Sequence, residues 1–245
     1  MMEQMETATP HAEDLSEDLF RLKPGSAHLW SLALDQMPKR SSALLPWVSE
    51  EERTKAERFQ LAAQNRSFLG RRSLLRYLLS RYARCPAAAV IYTAGRNGKP
   101  KAAGGADGVQ FSASSSGSRV LFAFMDRGDV GVDLEAVRWR PGLSEVALRY
   151  FNPVEQAQLA ALPQRERQRQ FFRIWTRKEA VAKLSGEGLA ALDVRSLVQG
   201  QAWAQALPVA EGFEAHLALV EARTEVQLIH WAPNWPALLA RQPPF

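Results

Sequence analysis

The sequence predicts an α+β fold made of two similar halves. Segments of helical periodicity and apolar strand runs follow one another in the order helices, strands, helices, strands. The strand runs also come in close pairs joined by turn residues, whereas a parallel α/β sheet would separate successive strands with helices. Residues 1–25 are expected to be a mobile acidic leader, 26–135 an N-terminal α+β half, and 136–245 a C-terminal α+β half.

The first helices are expected in SEEERTKAERF from Ser49 and in NRSFLGRRSLLRYLLSRYA, where Phe68, Leu69, Leu75, Leu78, Leu79 and Tyr82 recur at helical spacing. A turn at 95–100 and a loop at 102–108 lead to a short strand at Val109–Phe111. The apolar run Val120–Met125, the turn residues 126–129 and Val130–Glu135 then read as a hairpin. Helices follow near 144–151, 154–162 and 165–184. A second strand pair, His216–Glu221 and Glu225–Trp231, closes the chain.

The 245 residues are 46% hydrophobic and 23% charged, as in a globular protein, and this excludes a disordered chain. The net charge is +5, but the first twenty residues hold six acids and no Lys or Arg. The rest therefore carries eleven positive charges, the five net plus the six offset by those acids. Such a body favours anionic partners, although a solubilising surface excess gives the same composition. Cys85 is the only cysteine, so no intrachain disulfide can form, and a reducing compartment or indifference to redox is implied; with no signal-peptide pattern a cytoplasmic protein is expected. The N-terminus lacks signal-peptide patterning and there is no long apolar run, so no membrane association is expected. The four histidines lack metal-ligand spacing, and neither a Walker motif nor GxGxxG is present. Nucleic acid binding finds no aromatic-and-basic platform.

Two segments carry candidate chemistry. In DVGVDLE, Asp133 and Glu135 lie on one face of a strand, about 7 Å apart. They could share a cation, or form the wet face of a half-buried strand. In WTRKEAVAK, Trp175, Glu179 and Lys183 share a helical face flanked by Lys178. Read alone, Glu179 and Lys183 are a surface ion pair worth about 0.3–0.5 kcal/mol. Read together, three carboxylates and a lysine group suit a magnesium ion on a pyrophosphate, because magnesium takes a few carboxylates and completes its shell with phosphate and water.

The two segments resemble the Sfp-type 4'-phosphopantetheinyl transferase family, whose marks are G-[IV]-D-[IVL]-E, then W-x-x-K-E-[AS]-x-x-K and G-x-G-L. Here these are GVDLE at 131–135, WTRKEAVAK at 175–183, and Gly186, Glu187, Gly188 and Leu189. RSFLGR (66–71), the Gly98–Lys99–Pro100 turn and RYFNPVE (149–155) extend the likeness. The resemblance implies a pseudo-twofold fold with the active site between the halves. It implies transfer of the 4'-phosphopantetheine group of coenzyme A to a serine of an acyl or peptidyl carrier protein of fatty-acid, polyketide or peptide synthesis. It further implies 3',5'-ADP as the product, Mg2+ as the cofactor, and a monomeric holo-[carrier protein] synthase.

Carried over by position, Asp133, Glu135 and Glu179 are implied to hold magnesium, with Glu179 and Lys183 catalytic. Lys55, Arg66, Ser67, Lys99, Ser114, Ser115, Lys178 and Lys183 are implied to contact the cofactor. FSASSSG (111–117) departs from the family's F-N-x-S-H-S-G, with Ser112 for asparagine and Ser115 for histidine. Either an arginine such as Arg119 compensates, or coenzyme A binds less tightly, or the chain is a silent homologue that binds carrier protein or coenzyme A as a regulatory module.

Overall fold

The run Arg119–Met125 (RVLFAFM) is apolar on both faces, and both faces are buried. Val120, Phe122 and Phe124 enter one core while Leu121, Ala123 and Met125 enter another, as the two-residue period of a strand requires. That alternation identifies the central layer of the protein, and the other layers stack on its two sides. The computed structural model describes residues 5–10, 15–94, 99–186, 188, 202–220 and 224–240.

In chain order the strands and α-helices are β1 (Glu6–Ala8), β2 (Ala27–Ala33), α1 (Glu50–Glu57), α2 (Ala62–Ala83), β3 (Val90–Ala94), β4 (Pro100–Gly104), β5 (Gln110–Ser116), β6 (Arg119–Met125) and β7 (Val130–Ala136). They continue with α3 (Leu143–Tyr150), α4 (Pro153–Ala161), α5 (Gln164–Ser185), β8 (Trp203–Ala206), β9 (Phe213–Leu219), β10 (Val226–Trp231) and α6 (Trp235–Ala240). A five-stranded sheet has the order β1-β10-β2-β6-β5, an antiparallel three-stranded sheet the order β7-β9-β8, and β3 and β4 pair separately. Helix α2 covers one face of the five-stranded sheet, and the three-stranded sheet covers the other through Leu29, Leu121, Val132 and Leu217. Helix α5 lies on the far side of the three-stranded sheet through Ala180, Val181 and Leu184. Among the described residues no helix is long and apolar enough to cross a membrane.

This is the expected α+β class, with two corrections of pairing. The runs at 120–125 and 130–135 do not form a hairpin. β6 bonds to β2 and β5, and β7 bonds to β9. The C-terminal pair is likewise split, β9 joining β7 and β8 while β10 runs parallel to β2. Turn residues determine where the chain reverses, but a strand buried on both faces does not declare its ladder partner. β6 instead forms a hairpin with β5, closed at Gly117, whose φ of 57° suits a residue without Cβ. Within 1–25, expected to be a mobile leader, Glu6–Ala8 forms an edge strand on β10, and Leu15 and Phe20 are buried.

Local chemistry fixes the helices that border the site. Ser49 and Glu52 close a capping box on α1, and the buried Glu52 also meets Arg76 of α2 at 2.7 Å. Arg76 in turn donates to the Val90 carbonyl at 2.6 Å, so α1, α2 and β3 share one buried polar network. Helix α5 is fastened to β9 by a 2.9 Å bond between Thr176 Oγ1 and His216 Nδ1. At Gly131 the helix passes so close to β7 that a Cβ would enter the van der Waals shells of the Ala180 carbonyl oxygen and the Leu184 amide nitrogen.

Gly131→Ala forces backbone against backbone and is expected to destabilise the protein by at least about 1–3 kcal/mol in urea unfolding. His28 and His216 are both pushed down from 6.5 to about 4, chiefly by burial. The unfolded chain therefore takes up these protons first, so their contribution to stability is complete above about pH 6.5 and is lost as the pH falls toward 4. Unfolding midpoints at pH 7 and pH 4.5 test this, with the lower pH expected to give the lower midpoint.

Candidate active site

A cleft of about 500 Å³ opens between α2 on one side and β5, β7 and α5 on the other. Asp133, Glu135, Trp175, Glu179 and Lys183 all line it, so the strand and helix segments singled out in the sequence converge on one space. A smaller hollow of about 230 Å³ adjoins it and shares Glu179 and Lys183, adding Lys99, Gly186 and Gly188. Gly98, Glu187 and Leu189 lie outside the described residues.

The carboxylates are held by a seam of serines. Ser112, Ser114 and Ser116 alternate along β5 and so face one side, toward the edge of β7 that does not pair with β9. Their hydroxyls accept the amides of Val132, Leu134 and Ala136 at 3.1, 3.2 and 3.0 Å. Ser114 also donates to Asp133 Oδ1 at 2.8 Å, and Ser116 to Glu135 Oε2 at 2.7 Å. The open edge of β7 is thereby closed by side chains from one face of β5, and the same hydroxyls orient the two acids.

Each acid also has a cation. Lys183 Nζ lies 2.7 Å from Asp133 Oδ1 and 3.1 Å from Ser114 Oγ, and Arg140 lies 2.7 Å from Glu135 Oε2. Ser114 is thus saturated: its one proton goes to Asp133 and its two lone pairs to Leu134 N–H and Lys183. It orients the acid and has no valence left for a ligand. Asp133 Oδ2, in contrast, is buried without a hydrogen-bond partner. Burial, aided by Asp133 and Glu135 and opposed by Lys183, pushes the Glu179 carboxyl above the usual carboxylate range.

An orphaned carboxylate oxygen beside further acids is the kind of donor that a hard divalent cation such as magnesium takes. Among the described residues, no three His, Cys, Asp or Glu side chains are gathered in coordinating geometry. Lys183 and Arg140 instead hold the inner oxygens of Asp133 and Glu135.

The remaining candidates scatter. Lys178 is not at the cleft. One position along α5 from Glu179, it is buried 3.0 Å from Glu155, which itself closes the capping box of α4. Lys55 is exposed and lines a neighbouring hollow with Phe68, Arg72 and Tyr92. Arg66 reaches the Lys39 carbonyl at 3.4 Å, and Ser67 accepts a bond from Arg71 at 2.9 Å. Lys99 is taken up by Asp129 at 2.9 Å and by the Leu184 carbonyl at the end of α5 at 3.1 Å. Ser115 lines the cleft. Sequence reasoning missed Phe68, Arg71, Arg72 and Leu75, which line the opposite wall. Their spacing of three, four and seven residues from Phe68 was the available signal.

Comparison with known proteins identifies relatives of this chain. The profile of the 4'-phosphopantetheinyl transferase superfamily matches residues 129–227, from the start of the acidic strand to β10. The 4'-phosphopantetheinyl transferase HetI of Nostoc sp. (strain PCC 7120) is 34% identical over 168 residues, 68% of this chain and 71% of that protein. The 4'-phosphopantetheinyl transferase psf-1 of Bacillus pumilus is 32% identical over 151 residues, 62% of this chain and 63% of that protein. The 4'-phosphopantetheinyl transferase Sfp of Bacillus subtilis (strain 168) is 30% identical over 152 residues, 62% and 66% of the two chains. With an α+β fold, the paired strand and helix motifs meeting at one cleft, and a relative matched over more than two thirds of its length, the chain belongs to the 4'-phosphopantetheinyl transferase superfamily of enzymes.

Proposed function

We propose that this protein transfers the 4'-phosphopantetheine group of coenzyme A to a serine of an acyl or peptidyl carrier protein, releasing 3',5'-ADP, with Mg2+ as cofactor. The observation that carries this reading is the convergence of Asp133, Glu135, Glu179 and Lys183 on one cleft, with Asp133 Oδ2 buried and unpartnered. The names of the matched relatives support the same activity. The single cysteine accords with a cytoplasmic enzyme.

Asp133, Glu135 and Glu179 would hold the magnesium, which when bound neutralises charge on the coenzyme A pyrophosphate. Lys183, on the same wall, donates to the phosphate oxygens and stabilises the departing 3',5'-ADP. Glu179 takes the proton from the carrier serine hydroxyl, directly or through a water, as that oxygen forms its bond to the β-phosphorus and the bond to the bridging oxygen breaks. Ser114 and Ser116 fix the acids before substrate arrives, so little reorganisation remains for the reacting complex.

Mass spectrometry of apo acyl and peptidyl carrier proteins incubated with the protein, coenzyme A and Mg2+ tests the activity. A phosphopantetheine mass gain on the carrier serine is expected, and no gain across such a panel sinks the reading. Glu179→Gln is expected to lower the rate roughly a hundredfold or more. The same variant has a second signature. Because the folded protein holds the Glu179 proton more tightly than the unfolded chain, stability present at low pH is lost as the pH rises through the folded pKa. Metal-free Glu179→Gln should therefore melt above the wild type at pH 7, with the gap closing below the usual carboxylate range. A fully active variant removes Glu179 from the base role.

A further inference from the structure

Three arginines of α2 differ in how well their charge is matched. Arg76 is buried and fully paired, at 2.7 Å from Glu52 and with the Val90 carbonyl. Arg72 is 3.6 Å from the other oxygen of Glu52, with its guanidinium over the rings of Phe68 at 5.4 Å and Tyr92 at 5.6 Å. Arg71 has no carboxylate partner among the described residues; its Nη1 donates only to Ser67 Oγ, one turn back, at 2.9 Å.

Yet Arg71 is half-buried and lines the cleft, on the wall that faces the acids. Burial and the neighbouring Arg72 both disfavour its charge and push its pKa down. A desolvated guanidinium without a counter-ion is costly, and a bound anion removes the cost. The planar fork of arginine matches the oxygens of a phosphate monoester better than a point charge does. Resting on the transferase reading above, the pyrophosphate of coenzyme A lies with Lys183 and the acids, which leaves the 3'-phosphate for the opposite wall.

We propose that Arg71, aligned by Ser67 and backed by Arg72, binds the 3'-phosphate of coenzyme A and is the residue by which this cleft distinguishes coenzyme A from its 3'-dephospho form. Ser115, on the same cleft, adds at most a neutral hydrogen bond, so the charge recognition falls to α2.

Calorimetric titration of the full chain with coenzyme A and with 3'-dephospho-coenzyme A, both with Mg2+, tests this. The wild type should prefer coenzyme A. Arg71→Gln should weaken coenzyme A about 10- to 100-fold and leave the dephospho form within about twofold, erasing the preference. An equal loss for both ligands, or an intact preference, overturns the assignment. If Arg71→Gln does not fold, Arg71→Lys carries the same comparison: a loss confined to coenzyme A supports the proposal, and an equal loss or none overturns it. A wild type that binds both ligands equally defeats the role of Arg71 and leaves the transferase reading standing, whereas one that binds neither defeats both.

Discussion

The site depends on how closely α5 lies against β7. Gly131 has no side chain to hold the helix away, so the backbone of Ala180–Leu184 rests on the strand. A helix displaced by the width of a methyl group would carry Lys183 out of reach of Asp133, now at 2.7 Å. The motif glycine is thus a spacing residue, and its chemistry is the chemistry of the residues it lets approach. The bond between Thr176 and His216 sets the same helix against β9, on the same face of the sheet, where a neutral ring is the form that burial favours.

Within that frame the electrostatics are divided between two walls. The β7–α5 wall concentrates acids, and each of the two strand acids is matched by an internal cation, Lys183 or Arg140. The α2 wall concentrates arginines, and their acids run out at Arg71. Lys178 shows what the alternative looks like. Its pair with Glu155 is shielded from water on both sides, with side chains 7% and 16% exposed. Breaking such a pair costs about 3–5 kcal/mol, which makes Lys178 a fastening between α4 and α5.

How much of this was legible depended on periodicity. The helices from Glu50 to Ala83 and from Leu143 to Ser185 follow the apolar spacing, and the face bearing Trp175, Glu179 and Lys183 does line the cleft. Helical phase also explains where two of the residues carried over by position lie. Arg66 is two residues from Phe68 and so points away from the wall that Arg71 and Arg72 occupy, and Lys178 is turned about 100° from Glu179. The strand Gln110–Ser116 was read only as far as Phe111, because four serines in six residues look like a loop. Their alternation had a meaning that composition hides: every second hydroxyl stands in for a main-chain carbonyl. The strand pairing escaped for the reason that both faces of β6 are buried.

That seam has a further consequence. Neighbouring strands are ordinarily joined by main-chain groups common to every residue, so no single codon change removes the join. Here three hydroxyls do the joining, and each is encoded separately. The contact between the two sheets, and the set of the acids along it, is therefore open to stepwise evolutionary adjustment, one oxygen at a time, while the ladders on either side stay intact.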